Sequence, residues 1–106
     1  MHLHNHYPHM RGLFFEVHNN ANSVVSGVVH KAMGRVAGVA DMCLLIPTRM
    51  GVEARAVFVE FKTATGRQSP KQIAWQATVE RAGFQYVVIR SVDEFCSLVR
   101  DVVPPA

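Results

Sequence analysis

The chemistry this sequence offers lies in three residues. Glu60 and Lys62 sit one residue apart in the apolar run Val57-Phe58-Val59-Glu60-Phe61-Lys62, and Asp41 interrupts the earlier run Val39-Ala40-Asp41-Met42-Cys43-Leu44-Leu45-Ile46. Both runs read as strands. Side chains alternate faces along a strand, so Phe58, Glu60 and Lys62 share one face, while Val57, Val59 and Phe61 take the other. A charge in such a strand is costly unless it is paired or binds a metal. If the two runs are neighbouring strands, Asp41 and Glu60 meet at one end of a sheet. Two carboxylates that close repel each other, and a divalent cation relieves the repulsion. Hard cations such as Mg²⁺ take oxygen ligands, often one or two carboxylates together with substrate phosphates. The pattern Asp…Glu-x-Lys is therefore a candidate metal-dependent phosphodiesterase centre. The plain alternative is that Asp41 caps a turn and that Glu60 and Lys62 form a surface ion pair worth about 0–1 kcal/mol.

The elements that must position these groups follow in chain order. Residues 1–11 hold His2, His4, His6, His9 and Pro8 and are expected to be an irregular, solvated lead-in. If extended, His2, His4 and His6 would share a face and could bind a transition metal. Residues 13–17 read as a strand containing Glu16, and His18 to Asn22 as a turn. Residues 23–33 have helical spacing, with Asn22 or Ser23 as cap and Gly34 at the end. Pro47 stops the Asp41 strand. Residues 48–53, with Gly51, read as a hairpin that makes the two acid-bearing strands antiparallel neighbours.

After a polar loop, Ser69-Pro70-Lys71-Gln72 is a sharp helix start: a capping serine, proline in the first turn and glutamine three after the cap. That helix runs to about Ala82 and ends at Gly83. Residues 84–89 read as a central strand. Ser91-Val92-Asp93-Glu94 opens a last helix through a second capping box, with Phe95, Leu98, Val99 and Val102 inward. The order β-α-β-β-α-β-α predicts an α/β fold, a mixed sheet flanked by helices, in a single domain over 1–106.

Composition agrees. Of 106 residues, 49% are hydrophobic and 18% charged, which excludes a disordered chain. The formal charge of +3 suits a polyanionic partner without requiring one. Cys43 and Cys96 both lie in apolar runs and are read as buried and reduced, which favours an intracellular protein. No apolar run approaches the roughly 18 residues of a membrane span, and none reads as a signal peptide.

At Gly38-Val39-Ala40-Asp41, Val59-Glu60-Phe61-Lys62-Thr63, Gly66-Arg67-Gln68-Ser69-Pro70-Lys71-Gln72 and Val88-Ile89-Arg90-Ser91, the chain resembles the VRR-NUC domain, a branch of the PD-(D/E)XK nucleases. The Thr-x-x-Gly-Arg-x-Ser-x-x-Gln segment, with Trp75 three residues on, makes the likeness much more specific than Asp…Glu-x-Lys alone. The resemblance implies a restriction-endonuclease-like fold. It also implies Mg²⁺- or Mn²⁺-dependent hydrolysis of DNA phosphodiesters, selective for branches, flaps or Holliday junctions in replication, repair or recombination, by a homodimer. It further implies roles: Asp41 and Glu60 as metal-binding acids, the Phe61 backbone carbonyl as the neutral ligand, Lys62 as the catalytic lysine, and Gln72 as the glutamine that faces the site.

Arg35, Arg67, Lys71 and Arg90 are candidate phosphate contacts, two of them beside a helix N-terminus. Trp75 is expected in the core and not on a base, and the lone histidines His18 and His30 as structural. Family members usually begin with a helix that brings another acid. Only the tail of such a helix is expected in the lead-in, with Glu16 the one local substitute. The alternative function is thus a catalytically impaired DNA-binding module or subunit that lacks the acidic helix.

Overall fold

The computed structural model describes residues 6–17, 28, 31–32 and 36–104. A short 3₁₀ turn, Pro8–Met10, leads into β1 (Phe14–Glu16). Then come β2 (Met42–Ile46), β3 (Arg55–Phe61), α1 (Pro70–Arg81), β4 (Gln85–Ile89) and α2 (Val92–Val102). The strands form one sheet in the order β1-β2-β3-β4. β1 pairs antiparallel with β2 and β2 antiparallel with β3, whereas β4 runs parallel to β3. A parallel pair needs a crossover, and α1 supplies it. Val28, Lys31 and Ala32 are helical, and the remainder of the helix expected over 23–33 lies outside the described residues.

The β2–β3 hairpin forms as its sequence requires. Arg49 and Val52 exchange backbone hydrogen bonds around Met50 and Gly51, which take φ of 42° and 85°. Positive φ at both central residues is the turn whose twist matches that of the strands. Gly83, at φ 96°, ends α1. Its N–H donates to Glu80 O and that of Phe84 to Val79 O, the paired bonds of a Schellman cap.

The sheet carries a core on each face. Under α2 lie Phe14, Leu44, Ile46, Val57, Val59 and Ile89, with Phe95, Leu98, Val99 and Val102 of the helix packed against them. Under α1 lie Ala40, Tyr86, Phe58 and Val88, against which the helix packs Val79 and Trp75. Trp75 is a core residue as expected, its ring 5.0 Å from that of Phe58. Cys43 is buried, Cys96 half-buried, and neither forms a disulfide.

Three expectations need correction. β4 is an edge strand among the described residues, not a central one. It reads as apolar because α1 and α2 cover its two faces. The lead-in is not simply solvated: Met10 is 1% exposed and packs into the α2-side core, as a flexible gap-filling side chain does. The second capping box is only half made. Ser91 Oγ accepts from Glu94 N, but the Glu94 carboxylate accepts from Arg90 N at 2.9 Å.

Candidate active site

Asp41 sits in a bend immediately before β2, not inside a strand. Its carbonyl accepts the Val17 N–H at 2.9 Å, which ties it to the end of β1. The β2–β3 ladder begins at Met42↔Val59, so Phe61 has no backbone partner on that side. The Asp41 carboxylate takes the place of one: Oδ2 accepts the Phe61 N–H at 2.8 Å. A residue's N–H and C=O lie on the same side of a strand. The Phe61 carbonyl is therefore turned toward Asp41 and away from β4, whose Ile89 carbonyl accepts from Lys62 N instead.

Glu60 lies on the face shared with Phe58 and is 2% exposed, which excludes a surface ion pair. Its oxygens meet different donors. Oε1 accepts from Gln72 Nε2 at 3.1 Å, and Oε2 accepts from the Tyr86 hydroxyl at 3.3 Å. Lys62 Nζ, from the same face of β3, stands 4.0 Å from Oε1. The Asp41 carboxyl is close enough to hydrogen-bond to that of Glu60 when a proton lies between them. Burial, then the Asp41 hydrogen bond and charge, push the Glu60 carboxyl up to about 7, against a smaller opposing pull from Lys62 and Tyr86.

Gln72 is aimed by the cap of α1. Its Oε1 accepts the Ser69 N–H at 2.8 Å, and Ser69 Oγ accepts the Gln72 N–H at 3.2 Å. The capping box thus occupies one end of the amide and turns the other toward Glu60. Gly38 sets the spacing of loop and helix. With φ at 81°, it rests so close to α1 that a Cβ there would lie 2.3 Å from the Lys71 carbonyl oxygen. Only glycine allows the segment leading to Asp41 to touch the helix start that carries Gln72.

The structure brings Asp41, Glu60, Lys62 and Gln72 together and treats the basic residues differently. Arg67 and Lys71 are exposed beside the start of α1. Arg90 Nη1 donates to the Thr63 and Gly66 carbonyls and so shapes the loop after Lys62. Arg35, His2, His4, His18 and His30 lie outside the described residues. Glu16 is paired with Met42, which packs on the α2 side, so it faces away from Glu60. Sequence reasoning missed Tyr86 and Gln68. Gln68 Nε2 donates to Tyr86 O at 3.3 Å and to Gln76 Oε1 at 3.0 Å. The available signal was a tyrosine in an apolar strand, since a buried hydroxyl normally finds a partner.

The donors fit a hard divalent cation by type. Two carboxylates stand side by side, one buried and held by its neighbour in the protonated direction, and an outward carbonyl lies beside them. That is an arrangement a cation would relieve. Among the described residues no group of three or more His, Cys, Asp or Glu side chains is gathered. Mg²⁺ tolerates so few protein ligands when substrate phosphates complete its shell.

A mixed sheet with carboxylates and a lysine converging at one end, beneath a helix N-terminus, is a nuclease-like α/β arrangement. The VRR-NUC domain family matches residues 13–93, and the chain belongs to that family. A solved structure described as a VRR_NUC domain protein superposes with a TM-score of 0.61 at 15% identity, covering 89% of this chain and 70% of that one. No curated protein matches. Among the described residues no helix is long and apolar enough to cross a membrane.

Proposed function

We propose that the chain is a metal-dependent endonuclease that hydrolyses DNA phosphodiester bonds, selective for branched DNA and acting as a homodimer inside the cell. The observation that carries the reading is the burial of Glu60 beside Asp41, with Lys62 and Gln72 converging on the same carboxylate. A structural ion pair has no need of that second acid.

Asp41, Glu60 and the Phe61 carbonyl would hold Mg²⁺ or Mn²⁺. When bound, the cation supplies Lewis acidity at the phosphate and a water of lowered pKa. The remaining work belongs to the chain. Lys62 presents a compact positive charge to the phosphate as negative charge grows in the transition state. Gln72 keeps Glu60 oriented, and the Phe61 N–H does the same for Asp41. Arg67 and Lys71 contact the DNA backbone beside the α1 N-terminus, where anions are favoured.

The test is cleavage of four-way junction, flap and linear DNA with Mg²⁺ or Mn²⁺ and with EDTA. Cutting is expected with metal and lost in EDTA and in Glu60→Ala. Equal cutting by Glu60→Ala and wild type refutes the reading. The orientation of Glu16 away from the site favours a second possibility, a DNA-binding module that does not cut. It predicts junction binding that weakens with salt and no cleavage under either metal.

A further inference from the structure

We propose that Tyr86, aimed by Gln68, is a positioning residue that holds the Glu60 carboxylate ready for the cation. This rests on the metal-dependent reading above. Tyr86 lies on β4, two residues before Val88, the register partner of Glu60, and on the same face. It is buried, and its hydroxyl reaches Glu60 Oε2 at 3.3 Å.

A phenol has one proton, and what it does depends on what its oxygen receives. Gln68 Nε2 can only donate. One of its hydrogens goes to Tyr86 O and the other to Gln76 Oε1 on α1. The Tyr86 oxygen is therefore occupied as an acceptor, and its own proton is directed to Glu60. The order runs one way: Gln68 to Tyr86 to Glu60, with Gln76 fixing which way the Gln68 amide faces.

The consequence is rotational. The terminal torsion of a glutamate is broad and nearly two-fold. With Gln72 on Oε1 and Tyr86 on Oε2, each oxygen of Glu60 has a donor on a different element, α1 and β4. The carboxylate plane is then set before anything binds. Each oxygen keeps a further acceptor direction, so the donors orient the group without filling it. Among the described residues no buried side-chain polar atom lacks a partner, so this chain is complete as it stands.

The test is a Mn²⁺ titration by calorimetry on the full chain without DNA, beside circular dichroism and a melting curve. Tyr86→Phe keeps the ring and removes the proton. It is expected to weaken Mn²⁺ binding about tenfold, in line with loss of a hydrogen bond to a charged group. Gln68→Leu leaves the phenol in place but frees its proton, and is expected to weaken binding by less. A packing role alone would lower the melting temperature and leave the Mn²⁺ affinity at the wild-type value. Wild-type affinity in folded Tyr86→Phe overturns the proposal, and in Gln68→Leu it removes Gln68 from it. If Tyr86→Phe does not fold, wild-type Mn²⁺ affinity in Gln68→Leu overturns the proposal as a whole. Glu60→Ala separates this from the broader reading: if it binds Mn²⁺ as wild type does, the metal site itself is refuted. If it loses Mn²⁺ while Tyr86→Phe does not, only the positioning role fails.

Discussion

Glu60→Gln is the sharpest perturbation of the site, because it removes a titration while keeping the shape. The amide oxygen can still accept from Gln72 or Tyr86, and the amide nitrogen can donate to Asp41. In the wild-type fold the Glu60 carboxyl holds its proton up to about 7, against 4.5 for an ordinary glutamate. Between those values the folded state binds more protons than the unfolded chain, so stability falls as pH rises. The contribution is fully present below pH 4.5 and is lost as pH passes about 7. A shift of that size corresponds to about 3 kcal/mol. Glu60→Gln has no proton to lose here. The difference between the two proteins is therefore expected to move by about 3 kcal/mol in favour of the amide variant from pH 4.5 to pH 8.

Urea unfolding in EDTA, followed by the fluorescence of Trp75, measures this directly, since the indole packs 6.0 Å from the Tyr86 ring. Every other titrating group is common to both proteins, so the difference between the two pH curves isolates Glu60. Adding Mg²⁺ at pH 8 should then reverse the ranking. Wild type gains RT ln(1 + [Mg²⁺]/Kd), which passes about 3 kcal/mol once the free ion exceeds about 200 times Kd, and the amide variant gains much less. Parallel pH curves in EDTA would refute the account of Glu60 as a carboxyl strained by burial and by Asp41.

Four further outcomes follow from the geometry. Lys62→Ala should reduce single-turnover cleavage by about 10²–10³-fold, as loss of one charge-stabilising donor does, with little change in melting temperature. Gln72→Ala removes both a donor to Glu60 and half of a capping box. It should cost about 1 kcal/mol in urea unfolding and lower cleavage as well. Gly38→Ala must hold φ near 81° and clear the Lys71 carbonyl. Strain of about 1–3 kcal/mol should appear in unfolding together with a shift in Trp75 emission as α1 is displaced. Lys71→Ala should lower junction binding and reduce the slope of log affinity against log salt by about 1.

How much of this could be read from the chain depends on the range over which each feature acts. Ser69-Pro70-Lys71-Gln72 specifies its own cap, so the start of α1 and the direction of Gln72 were local facts. Gly51 between two apolar runs specified the hairpin, and the hairpin specified that Asp41 and Glu60 are neighbours. The alternation of β3 put Phe58, Glu60 and Lys62 on one face. Register across the crossover is another matter. Nothing near Tyr86 says that Val88 pairs with Glu60, so the hydroxyl's reach to the acid could not be read. The bonds from Arg90 to the Thr63 and Gly66 carbonyls could not be read either, because a cation's partners are invisible in sequence when they are backbone carbonyls. Met10 looked solvated because the lead-in over residues 1–11 is rich in His and Asn, although the space it fills is made by residues far along the chain. Glu16, the one local substitute for a further acid, could not be placed from its own neighbours, because its face is set by the pairing with Met42.

The place where local rules fail is also the place where the site is. A glutamate inside Val57–Phe61 contradicts the apolar pattern of every residue around it, and the fold then surrounds it with Gln72, Tyr86, Lys62 and Asp41. Three of those four favour its charge, and they come from a helix start, an edge strand and β3 itself. The fourth, Asp41, opposes it, and a fold selected only for stability would gain by placing a neutral side chain there. Retaining a repulsive carboxylate against a buried one makes physical sense when something positive is meant to sit between them. The conflict between Asp41 and Glu60 is therefore better evidence for a cation site than the favourable contacts, each of which a structural network would also make.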